Sequence, residues 1–285
     1  MKTKKHVLNS CIILLCAVLL AACGKKEEEV DPHEGQVYLY DGYDWTWYTP
    51  IEGVPLNDFS KEDFDYVDGT PIYRGDAFTV LKGIDVSEHQ KDIDWAQVAE
   101  ENLDFAYVRL GRRGYTEGGL FLDENFERNI RGAASIGLKT GVYFFSQAVN
   151  VAEAMEEAEF VLDAVKDYDV SLPIVFDWEA QKTEDSRTKD ISGETATDCA
   201  VAFCETIRQA GYEPCIYFFR IPGYYLYDQA RIQQYQTWFA LPCTPPDVTF
   251  PSFYYHFNMW QYSQNASIRG IPVETDLDYI FMKNN

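Results

Sequence analysis

Four carboxylates, Asp85, Asp177, Glu179 and Asp276, stand where runs of buried-strand character give way to polar loop, and two of them share an Asp-Trp-Glu triplet within LPIVFDWEA. Along a β-strand, residues two apart project to the same face, so Asp177 and Glu179 would hold their acids side by side. Two carboxyls at close range cannot both ionise freely. Their shared field raises one pKa towards the range of a general acid, and paired carboxyls of this kind open glycosidic bonds. A lone D-x-E is also what a strand end with two solvated acids would show, so the weight rests on its surroundings.

Those acids need elements to hold them. Strand-like runs occur at 81–86, 105–110, 139–146, 172–178, 214–219, 236–241, 256–262 and 275–280, eight in all. Helical periodicity fills the early gaps at Trp95–Asn102, Asn125–Ile136, Val151–Asp167 and Glu194–Ala210. Asn150 with Glu153 has the spacing of a capping box, Ser192 precedes a helix with Glu194 in its first turn, and Gly137 and Gly211 suit left-handed helix stops. Near-continuously apolar strands alternating with amphipathic helices imply a parallel sheet covered on both faces, and eight such strands imply a barrel with its site at the C-terminal strand ends. Asp85 ends the first strand and Asp177 and Glu179 the fourth. Asp276 fits least well, because it opens its strand. After Phe219 the segments carry Pro222, Pro242, Pro245, Pro246 and Pro251 without an amphipathic helix, so an irregular barrel is expected.

The N-terminus bears on location. Three lysines within Met1–His6, an apolar run at Cys11–Leu20 and the small residues Ala21 and Ala22 before Cys23 make a secretory signal, with an apolar run too short to span a membrane. Leu-Ala-Ala-Cys-Gly resembles a bacterial lipobox, whose Cys is acylated; Cys23 would then tether the protein to the outer face of a membrane, while cleavage near Ala22 without acylation is the alternative. The expected organisation is a signal peptide at 1–22, a flexible charged linker at 23–36, a small aromatic-rich extended segment at 37–80 and a barrel domain at 81–285.

With 24 basic and 46 acidic residues the net charge is −22. This argues against nucleic acid and against charge-driven lipid binding, leaving membrane association to the anchor alone. Of the seven cysteines, Cys199, Cys204, Cys215 and Cys243 lie in the barrel region with no zinc-site spacing. Buried thiols are the expectation, a Cys215–Cys243 bridge the alternative. His89 and His256 have no partners at metal spacing and read as solvated or hydrogen-bonded. Tyr143, Tyr217, Trp260 and Tyr262, with Gln261 as a hydrogen-bonding partner, could stack on sugar faces; core or rim packing is the other reading. Trp178 should point away from its acidic neighbours and pack behind the strand.

Taken in order, GIDVSEHQKDIDW, YVRLGRRGYTEGGLFLDENFERNI, GLKTGVYFFSQA, LPIVFDWE, and MWQYS followed by DLDYI resemble the successive motifs of the family 25 glycoside hydrolases, lysozymes of the 1,4-β-N-acetylmuramidase type. The resemblance runs from about Gly83 to Ile280. It implies an α/β fold, an irregular TIM-type barrel of (β/α)5(β)3 form, that cleaves peptidoglycan between N-acetylmuramic acid and N-acetylglucosamine without metal or cofactor. Glu179 becomes the proton donor, and Asp177, Asp85 and Asp276 the supporting acids. Two positions depart from the pattern. Arg109 stands where many members carry Lys, to bind a substrate carboxylate or lactyl group or to form an internal salt bridge; FALPCTPPD replaces the more usual stretch after Trp238. A monomer is expected, and retention of anomeric configuration by substrate assistance, with a covalent aspartyl intermediate as the alternative. A non-catalytic sugar-binding or adhesion lipoprotein should have lost at least one of the acids. A transporter-associated binding protein would show two similar lobes, and no such duplication is present.

Overall fold

The computed structural model describes residues 31–284. The signal segment, Cys23 and most of the linker lie outside the described residues.

Eight strands close a barrel in the order β5 (Phe78–Val86), β6 (Phe105–Arg113), β8 (Lys139–Ser146), β9 (Ile174–Trp178), β10 (Pro214–Phe219), β11 (Gln236–Ala240), β12 (Met259–Ala266) and β13 (Thr275–Lys283), which pairs back onto β5. β7 (Leu120–Leu122) is a spur folded back on the end of β6. All eight expected strands are present. Seven run parallel, but β13 is antiparallel to both neighbours, which corrects the all-parallel reading. A parallel return needs a crossover of a dozen or more residues, and the short segment between β12 and β13 permits only reversal.

Helices α2 (Phe126–Ser135), α3 (Val151–Val165) and α4 (Gly193–Gln209) cover the outside. Asn150 Oδ1 accepts from Glu153 N and Ser192 Oγ from Thr195 N, while Glu153 reciprocates to Val149 N one residue before a true capping box. Gly137 and Gly211 take φ of +85° and +91°, the left-handed stops anticipated. α1 is only Trp95–Val98, and Asn102, at φ +50°, lies beyond its end in the left-handed region. Where no helix was expected, α5 (Arg220–Tyr225) and α6 (Gln229–Ile232) join β10 to β11. Both are too short to show periodicity, and Pro222 sits in the first turn of α5, where its missing N–H costs nothing.

Two cores follow from the period-2 alternation of the strands. The barrel interior holds Phe105, Tyr107, Val175, Cys215, Tyr217, Trp238, Met259 and Ile280. The larger outer core lies between strands and helices and continues beneath the N-terminal segment. That segment forms two hairpins, β1–β2 (Val37–Tyr40, Trp45–Tyr48) and β3–β4 (Phe64–Val67, Thr70–Tyr73). Phe59 packs 4.3 Å from Phe281, and Phe64 meets Trp260 edge-on at 5.5 Å. Tyr48 and Tyr255 share a hydroxyl hydrogen bond of 2.9 Å, while the opposite face of the first hairpin leaves Tyr38, Tyr40, Trp45 and Trp47 exposed. Cys215 lies inside the barrel and Cys243 against the outer core, so the alternative bridge does not form; all four barrel-region cysteines are free thiols.

Candidate active site

Inward-facing residues of neighbouring strands meet at one rim. Asp85 ends β5, Arg109 and Tyr143 lie on β6 and β8, Asp177 is near the end of β9 with Glu179 just past it, Tyr217 is on β10 and Gln261 on β12. Because β13 runs the other way, its first residues lie at the rim where the parallel strands finish. Asp276 is thereby the direct ladder partner of Asp85. Together these residues line a cleft of about 300 Å³, whose wall also includes Trp238, Tyr115, Phe145, Gln264 and His89. Its floor is aromatic: Trp238 packs 4.8 Å from Tyr107 and edge-on to Tyr217.

Gln261 organises one side. Its Nε2 donates to Asp85 Oδ2 at 2.9 Å and to Asp276 Oδ2 at 3.1 Å, while Oε1 accepts from Tyr217 Oη at 3.0 Å and Gln264 Nε2 at 3.1 Å. On the other side, Gln147 Nε2 donates to the Glu179 backbone carbonyl at 2.8 Å and its Oε1 accepts from Thr188 at 2.9 Å, fixing the chain where it leaves β9. No protein donor reaches Asp177 Oδ1, although that atom is buried.

Burial and mutual repulsion shape the protonation states. Burial, then the charges of Glu179 and Asp85, hold Asp177 well above the usual carboxylate range. Glu179 is raised by burial and by Asp85, against a hydrogen bond with Asp177 that lowers it. Burial, followed by Asp85 and Glu179, pushes Asp276 up to about 8. Burial also raises Asp85, but hydrogen bonds from Gln261 and Asp278 hold it to about 6. The cluster therefore contains both proton-bearing and ionised carboxyls near neutrality, as acid catalysis requires. Among the described residues no group of three or more His, Cys, Asp or Glu side chains is arranged to hold a metal ion.

Of the residues singled out from the sequence, Asp85, Asp177, Glu179, Asp276, Arg109, Tyr143, Tyr217 and Gln261 all line the cleft. Trp260 and Tyr262 do not. They alternate with Gln261 on β12 and so face outward, into the outer core, where Tyr262 packs 4.4 Å from Tyr279. Arg109 forms the internal salt bridge: Nε lies 2.8 Å from Asp123 and one terminal nitrogen 2.9 Å from Glu88. Trp178 packs behind its strand and donates to Ala148 O at 2.9 Å, and His256 is hydrogen-bonded to Asp58. Trp238 and Asp278 were not anticipated, although their inward parity with Ala240 and Asp276 was available from the strand pattern.

A family model described as glycosyl hydrolases family 25 matches residues 84–271. The autolytic lysozyme of Clostridium acetobutylicum is 24% identical over 199 residues, covering 70% of this chain and 55% of that protein. This chain thus spans about half the length of that curated relative. Among solved structures, the modular autolysin LytC of Streptococcus pneumoniae superposes with a TM-score of 0.64 at 23% identity, covering 87% of this chain and 57% of the other. A family 25 glycosyl hydrolase of Bacillus anthracis gives 0.56 at 21% identity, with 80% and 96% coverage, and shares the irregular closed barrel.

Proposed function

This chain belongs to glycosyl hydrolase family 25, and on that premise we propose that it is a lysozyme cleaving the β-1,4 bond from N-acetylmuramic acid to N-acetylglucosamine in peptidoglycan. The similarity to an autolytic lysozyme supports the substrate class. The observation that carries the reading is the convergence of Glu179 with three aspartates in one cleft, where burial and the Asp85 charge raise Glu179 above the ordinary carboxylate range.

Glu179 protonates the glycosidic oxygen as the bond to the anomeric carbon breaks. Asp177 stands beside it rather than across the sugar, where it orients the substrate's own N-acetyl group. The acetamido oxygen attacks the anomeric carbon, giving an oxazolinium ion and releasing the leaving sugar as an alcohol. Water then opens the ring, giving its proton to Glu179, so configuration is retained overall. Tyr143 and Tyr217 offer ring faces to the sugars, and Arg109 acts as a fixed part of the wall.

The protein works outside the cytoplasmic membrane, anchored through acylated Cys23, with residues 24–36 as the tether. The lipobox-like sequence supports this part of the reading. The deciding experiment follows the turbidity of purified cell walls and identifies the new reducing end. Loss of turbidity with N-acetylmuramic acid at the new ends is expected. N-acetylglucosamine ends, or binding without cleavage, would replace this reading with a different glycosidase or a sugar-binding protein.

A further inference from the structure

Asp278 is the carboxyl that this chemistry leaves idle. It lies two residues along β13 from Asp276 on the same inward face, opposite Gln261 of β12 and Gly83 of β5, and is 1% exposed. Trp238 Nε1 donates to its Oδ1 at 3.2 Å. Its Oδ2 receives no protein donor, and Asp85, which pairs with Asp276 across the ladder, is its diagonal neighbour on the same inward face. Among the described residues, the titratable groups that act on it or feel it are Asp85 on β5, Asp276 on its own strand, Tyr107 on β6 and Tyr262 on β12. None supplies a positive charge. An unpaired carboxylate in such a place is expensive, and the group avoids that cost by keeping its proton. A carboxylic acid whose Oδ1 is committed to an indole N–H still has one O–H to give.

We propose that Asp278 is a positioning residue that, as a neutral acid, donates its Oδ2 proton in a hydrogen bond to Asp85 and so selects Asp85 as the anion of the cluster. The perturbed acidities agree in direction. Burial, then Asp85 and Asp276, hold Asp278 well above the ordinary range, while the contact with Asp278 lowers Asp85 against its own burial. The charge placed on Asp85 in turn raises Glu179. Asp278 therefore touches no substrate atom but governs, through Asp85, how long the acid holds its proton. Only this last link rests on Glu179 being the donor.

The test uses the full chain with Asp278→Asn and Asp278→Val, and follows the side-chain carboxyl carbons by NMR across pH beside the pH profile of kcat/KM on cell-wall fragments. An amide can accept from Trp238 and donate to Asp85, so Asp278→Asn should leave the Asp85 midpoint and both limbs near those of the parent. Valine donates nothing. With it, Asp85 should titrate at least one unit higher, and the basic limb of kcat/KM should move to lower pH because Glu179 loses its charged neighbour. A role confined to packing would lower activity without moving either limb. An Asp85 midpoint displaced as far by Asn as by Val, or unmoved by Val, would overturn the proposal. Should the Val variant not fold, the Asn variant decides alone, by keeping or shifting that midpoint. A displaced Asp85 with an unmoved basic limb would uphold the Asp278–Asp85 pairing and remove Glu179 from the role of acid.

Discussion

Asp276 sits directly across the β5–β13 ladder from Asp85, and one side-chain amide, that of Gln261, hydrogen-bonds both carboxyls. Two acids facing each other across neighbouring strands repel when both are charged. Burial, and after it the charges of Asp85 and Glu179, push Asp276 up to about 8 from an ordinary 3.8. Between those values the folded state binds more protons than the unfolded one, so this group's contribution to stability is complete below about pH 4 and is lost as pH rises through about 8.

Replacing it with a neutral isostere removes that loss. Asp276→Asn should melt higher than the parent at pH 8, with the difference shrinking towards zero near pH 4. Each kcal/mol relieved raises Tm by about 2–4 °C in a domain of this size. Thermal melts across that range check the sign, and a difference independent of pH would show that the Asp276 charge is not the cause.

Glu179→Gln should fold as the parent does and lose wall-lysing activity by about 10²- to 10⁴-fold or more, the usual worth of a general acid. Circular dichroism together with turbidity measurements suffices. A folded Gln variant of near-normal activity would assign proton donation elsewhere.

The first product anomer reports the stereochemistry. Inverting enzymes keep about 6.5–9.5 Å between their carboxyls to admit water, and a side-by-side D-x-E pair does not match that arrangement. Proton NMR of the fresh product should show the β-anomer, and an initial α-anomer would exclude both retaining routes. Trapping a glycosyl adduct on an aspartate would then favour a covalent intermediate over the acetamido route.

Cys23→Ser should release the protein from membranes or stop its maturation, whereas the parent should fractionate with membranes and carry acyl chains by mass spectrometry. Unacylated parent protein found wholly in the medium would refute the anchor.

The barrel strands were legible because a wall buried on both faces writes long apolar runs such as KTGVYFFS, which is β8 to the residue. Helices α3 and α4 were legible from side chains that satisfy their own first turns. The direction of β13 was not, since neither propensity nor period encodes whether a strand returns parallel, and Asp276 looked misplaced for that reason alone. In MWQYS the rings share one short motif with Gln261, but the alternation that turns Gln261 inward turns Trp260 and Tyr262 outward. Asp278 gave no local sign of burial, because an acid two residues from another on a terminal strand has the same pattern when solvated. Arg109 was open between substrate and salt bridge, and the choice depended on Glu88 and Asp123 coming within reach through the fold.

Closure of the wall by pairing β5 with β13 has a kinetic meaning. Contacts between segments so far apart in the chain must overcome loop-closure entropy late in folding, and ladders of that kind form slowly. A chain emerging from a ribosome without β13 has an open sheet, and lacks the partner that brings Asp276 to Asp85. Hydrolytic competence is thus withheld until β13 has emerged and docked.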